Sequence, residues 1–502
     1  MKRTLTISFM IALTISAIVL LSPIAFSNAL TGTSVSGLIT TDTTWTQANS
    51  PYTLTGPVGV SPGVTLTIQP GVAINFGDYN LQVNGTLNAV GTPDNPIRIN
   101  GTAYTYVISF SSQSTLWNPQ TNTGSIIQNA IISYDRSFGG NLIQINNASP
   151  KIDNNTINIG GFDTGIYASE GSPIISNCQI NGNGGAGSGV IGISLSMANA
   201  YIANNTIYAA DSAIYCNYDN STVIHNLIFG SNVGLNAQGG PRILQNNTIS
   251  ENSVGIQLLP GFSAWNPPTV FLYNNIQNNS GHNLNFQFAQ NLDATYNWWG
   301  TTDAQAINQT ITDYKNNFNY GNATFTPYLA APNPASFTYL NATAGTGGSI
   351  SSSGITTLNY GGAKTFTFSP NSGYHISDVL VNGSSVGAVT SYNVQNIQGP
   401  TTISAVFAVD PTPSPTPTAT PTVAPTSQPT ATPNPTTNPT SHPTSTPTAT
   451  PTSAPTSAPT YPATTSPNSE SSTILTPYFL VAIAVAVIAV VIVALVLILK
   501  RR

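Results

Sequence analysis

The stretch KIDNNTINI occupies Lys151–Ile159, and its centre, NNTI, returns at Asn204–Ile207 and at Asn246–Ile249. Between the copies the match loosens, but the closing isoleucine persists. It gives a ladder of Ile131, Ile157, Ile180, Ile207, Ile228, Ile249 and Ile276, in steps of 26, 23, 27, 21, 21 and 27 residues. A second series runs alongside it: Leu142, Ile166, Ile193, Ile214, Leu235 and Ile256, usually introduced by glycine. A third lies five residues before each closing isoleucine: Ile152, Ile175, Ile202, Val223, Leu244 and Phe271. Three short apolar-bearing strands per 21–27 residues, parted by Gly- and Asn-rich turns, describe a chain coiling into stacked rungs, a parallel β-helix. A helical solenoid is excluded, because Gly, Asn, Ser and Thr at this density would break the ten-residue amphipathic helices it needs.

The asparagines then have a structural role. Two residues before the closing isoleucine stand Asn155, Cys178, Asn205, Asn226, Asn247 and Asn274. Asn adopts the left-handed backbone of a tight turn at low cost, and side-chain amides stacked at ~4.8 Å can bond to one another up the column. Cys178 falls in this turn column and Cys216 in an inward one, two rungs or ~9.6 Å apart. That exceeds the ~7 Å Cα limit for a bridge, so two unpaired thiols and no disulfide are expected.

Only 5% of the chain is charged, against roughly 25% in an ordinary soluble protein. Lys2 and Arg3 precede an apolar run ending near Leu21, with small residues at Ser27–Ala29, so residues 1–29 read as a secretory signal peptide. Residues 478–499 are apolar for about the ~20 residues a membrane-crossing helix needs, and Lys500, Arg501 and Arg502 form a basic tail expected to stay in the cytoplasm. Between them, residues 411–468 are almost wholly Pro, Thr, Ser and Ala, a disordered stalk of up to ~180 Å at ~3.1 Å per residue. The expected product is a single-pass cell-surface protein with its N-terminal domains outside. On export, sequons at Asn84, Asn100, Asn147, Asn154, Asn204, Asn220, Asn246 and Asn382 could carry glycans. The exported part holds six basic and sixteen acidic residues, a net charge of −10, and its basic residues are scattered, which argues against nucleic acid.

The flanks carry resemblances. The segment Thr43–Gly101, with GVTLTIQPGV and LQVNGTLNAVGT, resembles the opening coils of many extracellular right-handed β-helix proteins. The segment Tyr296–Leu329, beginning YNWWGTTDAQAINQ, resembles their closing segment, which implies that Trp298 and Trp299 cap the last rung. Within the β-helix expected over residues 30–335, the stretch from about 35 to 332 is therefore similar to archaeal and bacterial surface proteins with right-handed parallel β-helix repeats, of pectate-lyase-like architecture. Residues 338–409, a small antiparallel β domain by their alternating runs, contain GYHISDVLVNG and SYNVQNIQGPTTISAVF. These resemble the divergent internalin B-repeat type, implying a spacer or interaction module. His375 within it stands alone in sequence and reads as structural.

A β-helix often handles carbohydrate, but fold does not fix function. The markers of polygalacturonase-type enzymes, an Asn-Thr-Asp triplet, paired aspartates, Gly-His-Gly and Arg-Ile-Lys, are not present, and the acids are spread singly, offering no metal cluster. No cofactor is expected. The best acid pair for a polysaccharide-degrading alternative is Glu170 and Asp219, read as outward-facing and two rungs apart. A binding surface is better supported. Outward positions Tyr167, Ser194, Tyr215, Asn236 and Gln257, with Ser169, Ser196, Asn217 and Gln238 two residues on, would form a ledge able to stack and hydrogen-bond a glycan. The expected partners are the membrane, through the C-terminal helix, and polysaccharide or other envelope proteins.

Overall fold

A computed structural model describes residues 32–101, 106–134, 139–161, 163–182, 188–208, 210–261 and 267–411. The expected signal peptide, the stalk beyond residue 411, the apolar span and the basic tail lie outside these residues. Among the described residues no helix is long and apolar enough to cross a membrane.

The chain winds into a parallel β-solenoid of about 11 turns. Each rung has three strands, as Lys151–Asp153, Thr156–Ile159 and Thr164–Ser169 show, and each pairs in parallel with its counterpart one rung on. The first strands of successive rungs make a separate ten-stranded sheet, whereas the second and third belong to one sheet of 21 strands. Those two faces join through the bent strand Tyr52–Val60, whose beginning pairs with Ala73–Asn75 and whose end pairs with Leu81–Val83.

The core is a set of aliphatic columns. Ile152, Ile175, Ile202, Val223, Leu244 and Phe271 are in register on the first strands, as are Ile157, Ile180, Ile207, Ile228, Ile249 and Ile276 on the second. All are at most 2% exposed. Removing each such side chain from water stabilises the stack by roughly 1.5–3 kcal/mol before chain entropy is counted. The ladder needs two corrections at its N-terminal end. Ile132 pairs with Ile157 and Ile143 with Ile166, so Ile131 and Leu142 are each one residue out of register. Ile132 is fully buried, and Ile131 is only half-buried.

Glycine before the third-strand isoleucine is a packing requirement. A Cβ on Gly192 would sit 2.4 Å from the Ala213 carbonyl oxygen and 2.8 Å from Ile207 Cγ2, so the chain closes the corner only without one.

Trp298 and Trp299 divide their roles instead of jointly lidding the stack. Trp298 bridges in parallel to Asn275, which places Trp299, 2% exposed, next in the column after Ile276. Trp298 lies half-buried, donating from Nε1 to Gln277 Oε1 at 2.6 Å. Beyond them a short helix, Ala304–Gln309, is capped by Asp303 and followed by Ile311–Thr312, which pairs with His282–Phe286.

Residues Phe337–Val409 have their own core around Phe366, Val379 and Ile403, between a five-stranded and a three-stranded sheet. Pairing there is antiparallel with one exception: Phe337–Ala344 runs parallel to Thr401–Val409. This unit docks on the second strands of the solenoid. Tyr339 stacks on Phe229 with centroids 4.1 Å apart and donates its hydroxyl to Glu251 Oε2 at 2.6 Å. Thr206 meets Thr357 at 2.7 Å, and Gln277 donates to the Tyr360 hydroxyl at 3.2 Å.

Candidate functional site

The asparagine column is a continuous hydrogen-bonded chain. The Nδ2 groups of Asn205, Asn226, Asn247 and Asn274 each donate at 3.0 Å to Oδ1 of the asparagine one rung on, the last being Asn297. The same oxygens accept the backbone N–H of the residue one rung back, and the Nδ2 groups also reach main-chain carbonyls such as Ile202 and Val223. Asn155 stands at the other end of the column, accepting from the Ala130 N–H, and Cys178 interrupts it. These asparagines do not supply the left-handed turn. Positive φ falls one residue earlier, at Asn154, Asn177, Asn204, His225, Asn246 and Tyr273, because the ladder residue must extend its side chain inward while its predecessor turns the corner. Asn297, 0% exposed, is a member that the isoleucine pattern missed, since Trp299 fills the place of the closing isoleucine.

Both cysteines are buried and free. Burial pushes the Cys178 thiol up to about 12 and Cys216 well above its usual value, so neither is a nucleophile.

Glu170 and Asp219 do not form a pair. Glu170 is exposed at a left-handed corner, φ 60°, in line with Met197 and Tyr218. Asp219 follows Tyr218, turns inward to 1% exposure, and accepts from the Ser221 N–H at 2.8 Å and hydroxyl at 2.9 Å. Its expected outward placement is thus wrong: the corner redirects the chain after residue 218. Burial raises its carboxyl to about 7. Other acids are similarly engaged, Asp153 with Lys151 at 3.0 Å and Asp313 with Lys315 at 2.9 Å. Among the described residues, no group of three or more His, Cys, Asp or Glu side chains could hold a metal. His375, alone in sequence, has a partner in Asp410 at 3.1 Å.

The ledge residues fall into one column. Tyr167, Ser194, Tyr215, Asn236 and Gln257 are mutual register partners on successive third strands, preceded by Gln144 and followed by Asn285. Both tyrosines are half-buried, Ser194 is 7% exposed, and the amides bond laterally, Gln257 to Asn236 at 3.2 Å. Ser169, Ser196, Asn217 and Gln238 align beside them.

A more concave feature, which the repeat pattern did not reveal, lies on the outer side of the first strands. Thr65, Asn88, Gln128, Lys151, Trp117 and Asn122 line an open cleft of about 450 Å³. Its wall is the fifteen-residue excursion 111–125, where later rungs such as Ser196 to Tyr201 spend four residues.

Among the sequon asparagines, Asn100, Asn147, Asn154, Asn204, Asn220 and Asn382 are exposed. Asn84 and Asn246 are half-buried, and Asn246 is held between His225 and Asn333.

The fold class these observations define is the parallel β-helix, all-β with almost no helix among the described residues. The chain matches no protein-family model, no curated protein and no solved structure.

Proposed function

We propose that this chain is a membrane-anchored, glycosylated cell-surface protein of archaeal or bacterial type. Its right-handed, pectate-lyase-like β-helix serves as a non-catalytic ectodomain for envelope structure, adhesion or carbohydrate binding. The small domain, B-repeat-like in sequence, acts as a spacer or interaction module and packs through Tyr339 on the solenoid. The observation that carries the reading is the in-register column of half-buried Tyr167, Tyr215, Asn236 and Gln257, with buried Ser194 in line, uncharged donors and acceptors with aromatic faces, which suits sugar hydroxyls. The alternative, a β-helix hydrolase or lyase, lacks support from its best acids, because Asp219 is buried and bonded to Ser221.

The test exposes the full-length chain in mild detergent to a glycan array, beside assays for new reducing ends and for the ultraviolet absorbance of unsaturated uronides. Binding without product is expected. Product formation would overturn the non-catalytic reading. Protease shaving of intact cells should remove the β-helix, and its persistence would overturn the surface placement.

A further inference from the structure

The excursion 111–125 is built as a fixed wall. Its Asn118 and Thr123 form an antiparallel bridge, with Asn118 N–H donating to the Thr123 carbonyl at 2.7 Å. The hairpin is tied to the solenoid on two rungs, by Thr115 N–H to the Gly85 carbonyl and Trp117 N–H to the Ser149 carbonyl, each at 2.9 Å. Gly124 closes it at φ 116°, where a Cβ would lie 2.1 Å from the Leu116 carbonyl oxygen. The Trp117 ring is steadied in turn by Lys151, whose Nζ lies 5.5 Å from the ring centroid.

The charge balance decides what class of ligand fits. Lys151 is the only basic residue among those lining the cleft, and its ammonium is already paired with Asp153 at 3.0 Å. Asp153 is itself fixed by Gln128 at 2.9 Å, Ser176 at 2.7 Å and Asn177 at 2.8 Å. What remains for a ligand is an indole wall, the amides of Asn88 and Asn122, the part of the Gln128 amide that Asp153 does not hold, and threonine hydroxyls, with no uncompensated charge. The volume falls within the ~300–1,000 Å³ of small-molecule sites. A rigid aromatic beside neutral amides and hydroxyls matches a pyranose, whose apolar C–H face stacks while its hydroxyls hydrogen-bond.

We propose that this cleft is a binding site for a neutral oligosaccharide, with Trp117 as its stacking wall and Asn88 and Asn122 reading hydroxyls. The assignment rests on the carbohydrate-binding option of the reading above and gives it a place, on a different face from the tyrosine ledge.

The test titrates the full-length chain in mild detergent with neutral gluco-, manno-, xylo- and galacto-oligosaccharides of three to six units, and with oligogalacturonate as the anionic comparison. Trp117→Ala should weaken neutral binding by about tenfold or more, the loss of one stacked ring. Asn88→Ala should cost about fivefold, one neutral hydrogen bond, and Trp117→Phe should restore part of the loss. Unchanged urea midpoints in the Asn88 and Trp117→Phe variants separate binding from folding. Binding that survives these variants but is abolished by Tyr167→Ala with Tyr215→Ala would overturn the cleft and leave the carbohydrate reading standing. A preference for oligogalacturonate would overturn the neutral class. Failure of every sugar to bind would overturn both the cleft and the carbohydrate reading, leaving structure or protein adhesion.

Discussion

Asn226→Ala is the sharpest probe of what holds the rungs in register. Asn226 is 0% exposed. Its Oδ1 accepts from the Asn205 backbone N–H and from Asn205 Nδ2, both at 3.0 Å. Its Nδ2 shares two hydrogens among three acceptors, the carbonyls of Ile202 at 3.0 Å and Ile224 at 2.9 Å and Asn247 Oδ1 at 3.0 Å. Alanine leaves the Asn205 N–H buried without that acceptor, at ~1–3 kcal/mol, and removes neutral bonds worth about 1 kcal/mol each. A small void adds to this, so a total of roughly 3–5 kcal/mol is expected. Asn154→Ala, at an exposed left-handed corner with φ 51°, should cost only ~1–2 kcal/mol, mainly backbone strain. Urea denaturation followed by circular dichroism gives the comparison, and amide exchange around Asn205 shows whether the loss is local, as expected of a solenoid whose rungs contact only their neighbours. In the Asn226→Ala background, Asn205→Ala should cost less than it does alone, because its partner is already gone. If Asn226→Ala cost under ~1 kcal/mol, or no more than Asn154→Ala, the ladder would be a by-product of backbone pairing and the reasoning would fail.

Other outcomes follow from burial and packing. The folded protein keeps Asp219 protonated up to about pH 7, whereas an unfolded chain ionises an aspartate near ~3.9. Its burial is therefore free of charge cost at acid pH, and stability declines as pH rises through roughly 4 to 7. Asp219→Asn should flatten that decline and be the more stable form at pH 8, by an amount on the order of a few kcal/mol in urea melts at pH 4 and pH 8. Gly192→Ala should lose roughly 1–3 kcal/mol through its collision with Ala213 and Ile207, while Gly399→Ala, with nothing within 4 Å of its Cβ, should stay within about 0.5 kcal/mol of the parent. Tyr339→Phe keeps the stack on Phe229 but loses the bond to Glu251, loosening docking by roughly 1.5–3 kcal/mol. Faster proteolytic cleavage within residues 329–336 would report it.

The rung repeat was legible because buried columns demand one residue type at one phase, and Ile152, Ile175 and Ile202 state that demand repeatedly. Register failed where the marker was missing: Ala130 stands where Asn would be, and the adjacent pair Ile131 and Ile132 then offers two phases. The roles of the paired asparagines were hidden in NNTI itself. They are told apart at His225-Asn226 and Tyr273-Asn274, where the corner residue varies but the bonding amide does not. The cleft left a different trace, the length of the segment between Phe110 and Ile126, which a search for periodicity passes over. Docking of the small domain left no trace at all, since Phe229 and Tyr339 each look like ordinary strand aromatics until they meet across 110 residues of chain.

The uninterrupted stretch of the ladder gives the molecule a natural unit of growth. Asn205, Asn226 and Asn247 are separated by 21 residues each. A tandem in-frame duplication of that length between Asn205 and Asn226 would add one coil with every amide finding a like partner, lengthening the rod by ~4.8 Å. Losses or gains of other lengths would break the chain of amides or have to bulge at a corner, as the excursion at 111–125 does. Rod length in such a protein can therefore drift between generations in whole coils, the way a tape is cut at its graduations.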